Sequence, residues 1–260
     1  MKVARFSHKG SIAYGILDED EREWVVLDGD PMYSGFDTTG ERVALTDAPL
    51  LAPVLPRSKV VAIGRNYRAH AEELGNEVPE APLMFLKPNT AVIGPEDAIV
   101  LPPQSSQVEH EGELVVVIGR IAKDVEVERA FEYVFGYTVG NDVTARDLQR
   151  ADGQWARGKG FDTFCPLGPL IETEFDAASA TIETRVNGEE RQSGRIADLI
   201  HDIPELVAYA ASVWTLLPGD VIMTGTPAGV GPLVAGDRVD VTISGIGTLS
   251  NPVVAKVRKD

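Results

Sequence analysis

Apolar residues along this chain come mostly in short alternating or continuous runs separated by turn residues. KVARFSH, SIAYGILD and EWVVLDGD read as strands in the first fifty or so positions. Asp28-Gly29 after WVVL is a hairpin-type signal. Lys59 to Ile63 (KVVAI) is a short buried strand, and Tyr67 to Leu74 (YRAHAEEL) a short helix stopped by Gly75. Further strands are predicted at PLMFLK, AIVLP, GELVVVIG, EYVFGYTVGNDV, TIETRVNGE, DVIMTG, DRVDVTIS and PVVAKV. Val186-Asn187-Gly188-Glu189 is a strong hairpin turn. Helices are predicted over Val125 to Tyr133 and over Ile203 to Leu216, the second with apolar residues near a 3.6 period. Strands outnumber helices and do not alternate with them regularly, which argues against a doubly wound parallel sheet. The pattern predicts a mostly-β protein with a few helices, of α+β class. The proline-bearing stretch Ala48 to Arg57 (APLLAPVLPR) is a connector, so a boundary is placed near Leu55, giving units 1–55 and 56–260.

Composition narrows the function classes. A net charge of −16 argues against nucleic acid, whose phosphates are bound by surplus Lys and Arg, and against anionic membranes. No apolar run approaches the roughly 18 residues of a membrane-spanning helix. The N-terminus MKVARFSHKG lacks an apolar core segment, so no secretory signal and a cytoplasmic location are expected. The single cysteine, Cys165, excludes an intramolecular disulfide framework and a Cys-rich zinc site. An acidic protein acting on an anion needs a local reversal of sign, and a bound divalent cation is one device that supplies it.

Candidate chemistry begins at Val108 to Gly119 (VEHEGELVVVIG), where Glu109, Glu111 and Glu113 occupy alternate positions ahead of an aliphatic run. In a strand, residues two apart share a face, about 6.5–7 Å apart at Cα, so Glu111 and Glu113 can converge on one hard cation. The competing reading is a charged edge strand that blunts aggregation. Asp142, closing the β-branched run YTVGND, could add a third carboxylate, followed by Arg146 and Gln149 at helical spacing. Lys159 stands between two glycines in GKGFDTFCPLGP; by spacing alone it reads as a solvated loop lysine.

Taken together, GRNYRAHAEE, FLKPNTAVIGP, VEHEGELVVVIG, GNDVTARDLQ, KGFDTFCPLGP, VIMTGTPAGVGP and SGIGTLSNPV resemble the fumarylacetoacetate hydrolase family, with seven blocks in family order over roughly 200 residues from Val60 onward. The resemblance is to its short bacterial members. It implies a mixed β-sandwich roll with a small N-terminal β domain. It also implies a Mg²⁺ (or Mn²⁺) site at Glu111, Glu113 and Asp142, with Glu109 outside it. The family's active-site lysine falls on Lys159 and its His-Glu pair on His70 and Glu73, which are helix neighbours at i, i+3. Without the resemblance His70 would be an ordinary surface histidine. Substrate contacts fall on Arg146, Gln149 and Thr226.

The implied function is divalent-metal-dependent chemistry on small 2-oxo or 2-hydroxy-enoic diacids through a metal-held enolate, ending in C–C hydrolysis or decarboxylation, as in acylpyruvate hydrolases and oxaloacetate decarboxylases. One alternative is a 2-hydroxyhepta-2,4-diene-1,7-dioate isomerase of aromatic catabolism. A second is a non-catalytic metal-stabilised binding protein. A nucleotide-binding reading of GTPAGVG fails, because the stretch lacks the Gly-Lys-Ser/Thr ending of a P-loop. The resemblance further implies a homodimer, for which Trp155 and Phe161, apolar residues flanking Lys159, are suggestive.

Overall fold

A computed structural model describes residues 1–73, 75 and 77–256. Among these, strands build an 11-stranded sheet, a 5-stranded sheet and a 3-stranded sheet. The large sheet runs in the order Thr38–Ala44, Glu23–Leu27, Ser11–Asp18, Lys2–His8, Cys165–Glu172, Val134–Asn141, Gly112–Ile118, Val221–Met223, Val60–Gly64, Leu83–Lys87, and its eleventh strand, Val92–Ile93, pairs with Cys165–Glu172 off this path. Most of its pairings are antiparallel, with Val221–Met223 against Val60–Gly64 parallel. The protein is thus mostly β with a few helices.

The strand Gly112–Ile118 lies near the middle of this sheet and is buried along its whole length. Leu114, Val116 and Ile118 join one apolar cluster, while Val115 and Val117 join another. That is why its sequence is a continuous aliphatic run: a strand covered on both faces has no solvent side to make polar. The second sheet, in the order Glu189–Arg195, Thr181–Val186, Arg238–Ile243, Gly247–Ala255, Ile99–Leu101, covers one face. At Gly112 the two layers nearly touch. A Cβ there would stand 2.3 Å from Thr184 Oγ1 and 2.9 Å from Val241 Cγ1, so only glycine fits.

The N-terminal strands do not pack as a separate layer. Lys2–His8 pairs with Cys165–Glu172 in register Lys2↔Glu172, and the Met1 amino group donates to Glu172 Oε1 at 2.7 Å.

Several expectations are corrected. Asp28-Gly29 is not a tight hairpin. Asp30 accepts a hydrogen bond from the Met32 amide at 3.0 Å and Pro31 opens a short helix, Pro31–Ser34, so the chain returns only at Thr38–Ala44. An N-cap aspartate followed by proline outweighed the Asp-Gly signal. Val127–Tyr133 winds as a 3₁₀ helix. Cys165–Glu172 is a strand that its two prolines and glycine had concealed. The hairpin at Asn187-Gly188 forms as expected, with φ of 54° and 82° and Val186 paired to Glu189. Ile203–Val213 is a helix whose start is a reciprocal Asp202–Glu205 capping box. The short helix runs Arg68–Glu73; Leu74, predicted at its end, and Val257, predicted in the last strand, lie outside the described residues.

Candidate active site

The register of two neighbouring strands builds the acidic centre. Gly112 pairs with Asn141 and Glu113 with Gly140, which sets Glu111 and Asp142 side by side just past the paired ends. The Asp142 amide donates to the Glu111 carbonyl at 2.8 Å, and Asn141 Oδ1 accepts from the Glu111 amide at 3.0 Å. These bonds hold three carboxylates so that one oxygen from each of Glu111, Glu113 and Asp142 lies within 4.8 Å of the others. All three side chains are buried. The edge-strand reading of the glutamates therefore does not describe this segment.

Buried carboxylates need compensation, and two of the three receive it from cations. Lys159 donates to Glu111 Oε2 at 2.6 Å and Asp142 Oδ2 at 2.5 Å. It is 2% exposed, so it is not a solvated loop lysine; it closes the helical turn Ala156–Lys159 and lies 5.1 Å from the Phe85 ring centroid. Lys87 pairs with the other Asp142 oxygen and donates to the Val143 carbonyl at 3.3 Å. Arg146 binds Glu111 through Nη2, Glu109 Oε2 through Nε at 2.7 Å, and Gln149 Oε1 through Nη1 at 2.6 Å. Glu109 is thereby tied to Arg146 and Gln107, apart from the triad.

Among the described residues Glu113 is the exception. Its hydrogen-bond donor is the Gly225 amide, at 2.8 Å. Burial, with Asp142 and Glu111 beside it, pushes its pKa well above the carboxylate range. For Glu111 burial works in the same direction, but Lys159 and Arg146 outweigh it and hold its pKa below the usual value. For Lys159 burial favours the neutral form, and Asp142 and Glu111 overcome it, so the ammonium is retained. A hard oxygen set with one carboxylate short of positive charge fits a divalent cation such as Mg²⁺ or Mn²⁺.

The remaining expected residues come to the same place. A pocket of about 360 Å³ is lined by His70, Glu111, Glu113, Arg146, Gln149, Lys159 and Thr226, among others. His70 is 5% exposed, and its Nδ1 stands 3.5 Å from Glu73 Oε2, too long for a good hydrogen bond. Burial lowers its pKa, so the ring is neutral at pH about 7. Glu73 does not line the pocket; its carboxylate accepts from the Gly229 amide at 3.1 Å, tying the short helix to the 224–230 loop.

Three contributors carried no role in the sequence reading. Lys87 sits in the predicted strand PLMFLK, where no pattern distinguishes a buried lysine from a strand-end one. Arg65 lines the pocket directly after Val60–Gly64. Gln192 orients Thr226. Its Oε1 accepts from the Gly112 amide at 3.0 Å, which can only donate, and its Nε2 donates to the Pro227 carbonyl at 2.8 Å, which can only accept. The amide is thus fixed in one orientation, and Thr226 Oγ1 accepts from Nε2 at 2.7 Å. The Thr226 hydroxyl proton is left to point elsewhere, with the pocket beside it.

Residues 59–254 match the family described as "Fumarylacetoacetate (FAA) hydrolase C-terminal", and residues 1–53 match "Rv2993c-like, N-terminal". The chain belongs to the fumarylacetoacetate hydrolase family, and relatives that it matches include proteins named as isomerases, hydrolases and tautomerases. It is 54% identical to Protein Rv2993c of Mycobacterium tuberculosis over 98% of this chain and 99% of that one. It is 44% identical to oxaloacetate tautomerase YisK of Bacillus subtilis, over 81% of this chain and 74% of the relative. Among solved structures, 5-carboxymethyl-2-hydroxymuconate delta-isomerase from Mycobacterium smegmatis is 50% identical with a TM-score of 0.91, covering 98% of this chain and 100% of that one. Fumarylpyruvate hydrolase from Pseudomonas aeruginosa, in complex with Mn²⁺ and pyruvate, is 39% identical with a TM-score of 0.73, covering 80% and 92%.

Proposed function

We propose that this protein is a Mg²⁺- or Mn²⁺-dependent enzyme acting on small 2-oxo or 2-hydroxy-enoic diacids, with C–C hydrolysis or decarboxylation as its outcome. The observation that carries the reading is the buried Glu111–Glu113–Asp142 triad in the wall of a pocket shared with Lys159, His70 and Thr226. Glu111, Glu113 and Asp142 would hold the cation. When bound, it would act as a Lewis acid on the substrate's C2 carbonyl.

The chain's own groups supply the rest. The Lys159 ammonium, kept cationic and held by Glu111 and Asp142, is placed to stabilise negative charge developing on the C2 oxygen. Thr226, its oxygen already accepting from Gln192, offers its proton to a substrate carboxylate. His70 is neutral and so acts as a base; with Nδ1 toward Glu73, Nε2 takes the proton from water in hydrolysis. Glu73, anchored on the Gly229 amide, orients the ring and stabilises its protonated form.

A second reading is isomerisation or tautomerisation of the same substrates. It is favoured by the names of the relatives, an oxaloacetate tautomerase and a delta-isomerase. It needs the polarised carbonyl and one proton shuttle, but no attacking water. A non-catalytic binding protein is disfavoured, because it would have no use for His70 and Lys159 in one pocket wall. We also propose that the chain works as a cytoplasmic homodimer.

The test is an ultraviolet assay of an acylpyruvate, oxaloacetate and 2-hydroxyhepta-2,4-diene-1,7-dioate, each with Mn²⁺ and with EDTA. Loss of cleavage or decarboxylation under EDTA supports the first reading, and dienoate isomerisation alone supports the second. Turnover indifferent to EDTA, or none of the three consumed, removes the metal-dependent reading.

A further inference from the structure

The pocket lining carries a surplus of cations in a chain with a net charge of −16. Its lining includes two acids, Glu111 and Glu113, against four fixed cations: Arg65, Arg146, Arg150 and Lys159. Arg146 and Lys159 are committed to the acidic centre. Arg65 and Arg150 are not; among the described residues neither forms an ion pair, and Arg150 has only a 3.4 Å contact to Gln107 Oε1.

Among the described residues neither contacts Glu111, Glu113 or Asp142, although both line the same pocket. Arg150 follows Arg146 by four residues on the helix Arg146–Asp152, so it lies on the same face about 6 Å further along the axis. Arg65 stands over the Trp155 ring, its guanidinium carbon 6.0 Å from the centroid. That stacking needs Gly64, where a Cβ would lie 2.7 Å from Trp155 Cζ3. Arg65 also has a φ of +57°, a left-handed conformation that strains an L residue with a long side chain, and such strain gathers at functional sites.

We propose that Arg65 and Arg150 bind the far carboxylate of the substrate, and so make the pocket select diacids over monoacids that share the 2-oxo acid end. This rests on the 2-oxo acid reading above. A planar guanidinium binds a carboxylate through paired N–H donors, and two such groups in the pocket wall, uncommitted to the triad, leave the triad for the 2-oxo acid.

Calorimetry with the Mn²⁺-loaded enzyme tests it, using 2-oxoadipate and 2-oxohexanoate as probes. They share the 2-oxo acid end and the chain length, and differ in a terminal carboxylate against a methyl. The wild type binds 2-oxoadipate roughly 10- to 100-fold more tightly, the weight of a hydrogen bond to a charged group. In Arg65→Met and in Arg150→Met that ratio falls several-fold, and in the double variant it approaches one. Arg150 is exposed, so its replacement keeps the fold if the Arg65 variant does not. If neither probe binds, the 2-oxo acid reading fails and this inference with it. If 2-oxohexanoate binds as well as 2-oxoadipate, or the ratio survives both substitutions, the arginine clamp alone is overturned.

Discussion

Glu113→Gln should move the metal-free and metal-loaded proteins in opposite directions. Without a cation, Glu113 faces Glu111 and Asp142 with oxygens within 4.8 Å, and its own hydrogen bond comes from a neutral amide. At an effective dielectric constant of about 20, one like-charge pair at that separation costs about 3.5 kcal/mol. Protonation of Glu113 already relieves part of this, consistent with its raised pKa. Replacing the carboxyl by an isosteric amide removes the remainder, so the metal-free protein should gain up to about 3 kcal/mol, the gain growing as pH rises above the unfolded carboxylate pKa. In a chain of this size that is roughly 2–4 °C in Tm per kcal/mol. The same change removes one of three anionic ligands. Loss of an outer-shell partner costs 10–100-fold in metal affinity, so loss of a ligand should weaken Mn²⁺ by more than ~100-fold. Thermal melts in EDTA and across a Mn²⁺ titration read both effects. A lower Tm in EDTA, or an unchanged Mn²⁺ response, would refute the electrostatic account of the triad.

Because Glu113 must lose its proton to bind a cation, Mn²⁺ affinity should rise with pH until the raised Glu113 pKa is passed, and binding should release a proton; calorimetry in buffers of different ionisation enthalpy measures this, and pH-independent binding counts against it. In the metal-free protein the same raised pKa implies a contribution to stability that is full below the unfolded carboxylate pKa and lost as pH rises through the folded one. His70→Ala should lower kcat for hydrolysis or decarboxylation by roughly 10²–10⁴-fold with metal affinity unchanged, and a near-wild-type cleavage rate would move the assignment to isomerisation. Lys87→Met leaves one Asp142 oxygen without its buried cation and should destabilise the fold by about 3–5 kcal/mol in urea titration; a loss below about 1 kcal/mol would mean Lys159 alone compensates Asp142. Light scattering should give a dimer mass at micromolar concentration, and a monomer would contradict the proposed assembly.

The sequence by itself determined the strand-rich architecture and named most of the residues that meet in the candidate site. Local signals were enough there: alternate glutamates before an aliphatic run, Asn-Gly at a tight turn, a capping box before a periodic helix. Those patterns act within a few residues, so they can be read without the fold. Blocks in family order supplied the proposed roles of His70, Glu73 and Lys159, which spacing alone would have left as ordinary surface groups. Tertiary structure decided what depends on partners far along the chain. Lys87 is 55 residues from Asp142 and Gln192 is 34 from Thr226, and no local pattern marks either contact. Asp28-Gly29 does not close a hairpin because Asp30 and Pro31 claim the same segment for a helix cap. Cys165–Glu172 is a strand because its pairing with Val134–Asn141 and Lys2–His8 overrides the prolines' local preference, which no local pattern reveals. Burial is the common reason: it turned Lys159 from a solvated lysine into a buried ammonium, and left Glu113 as the carboxylate without a cation, neither of which a single chain read in order can express.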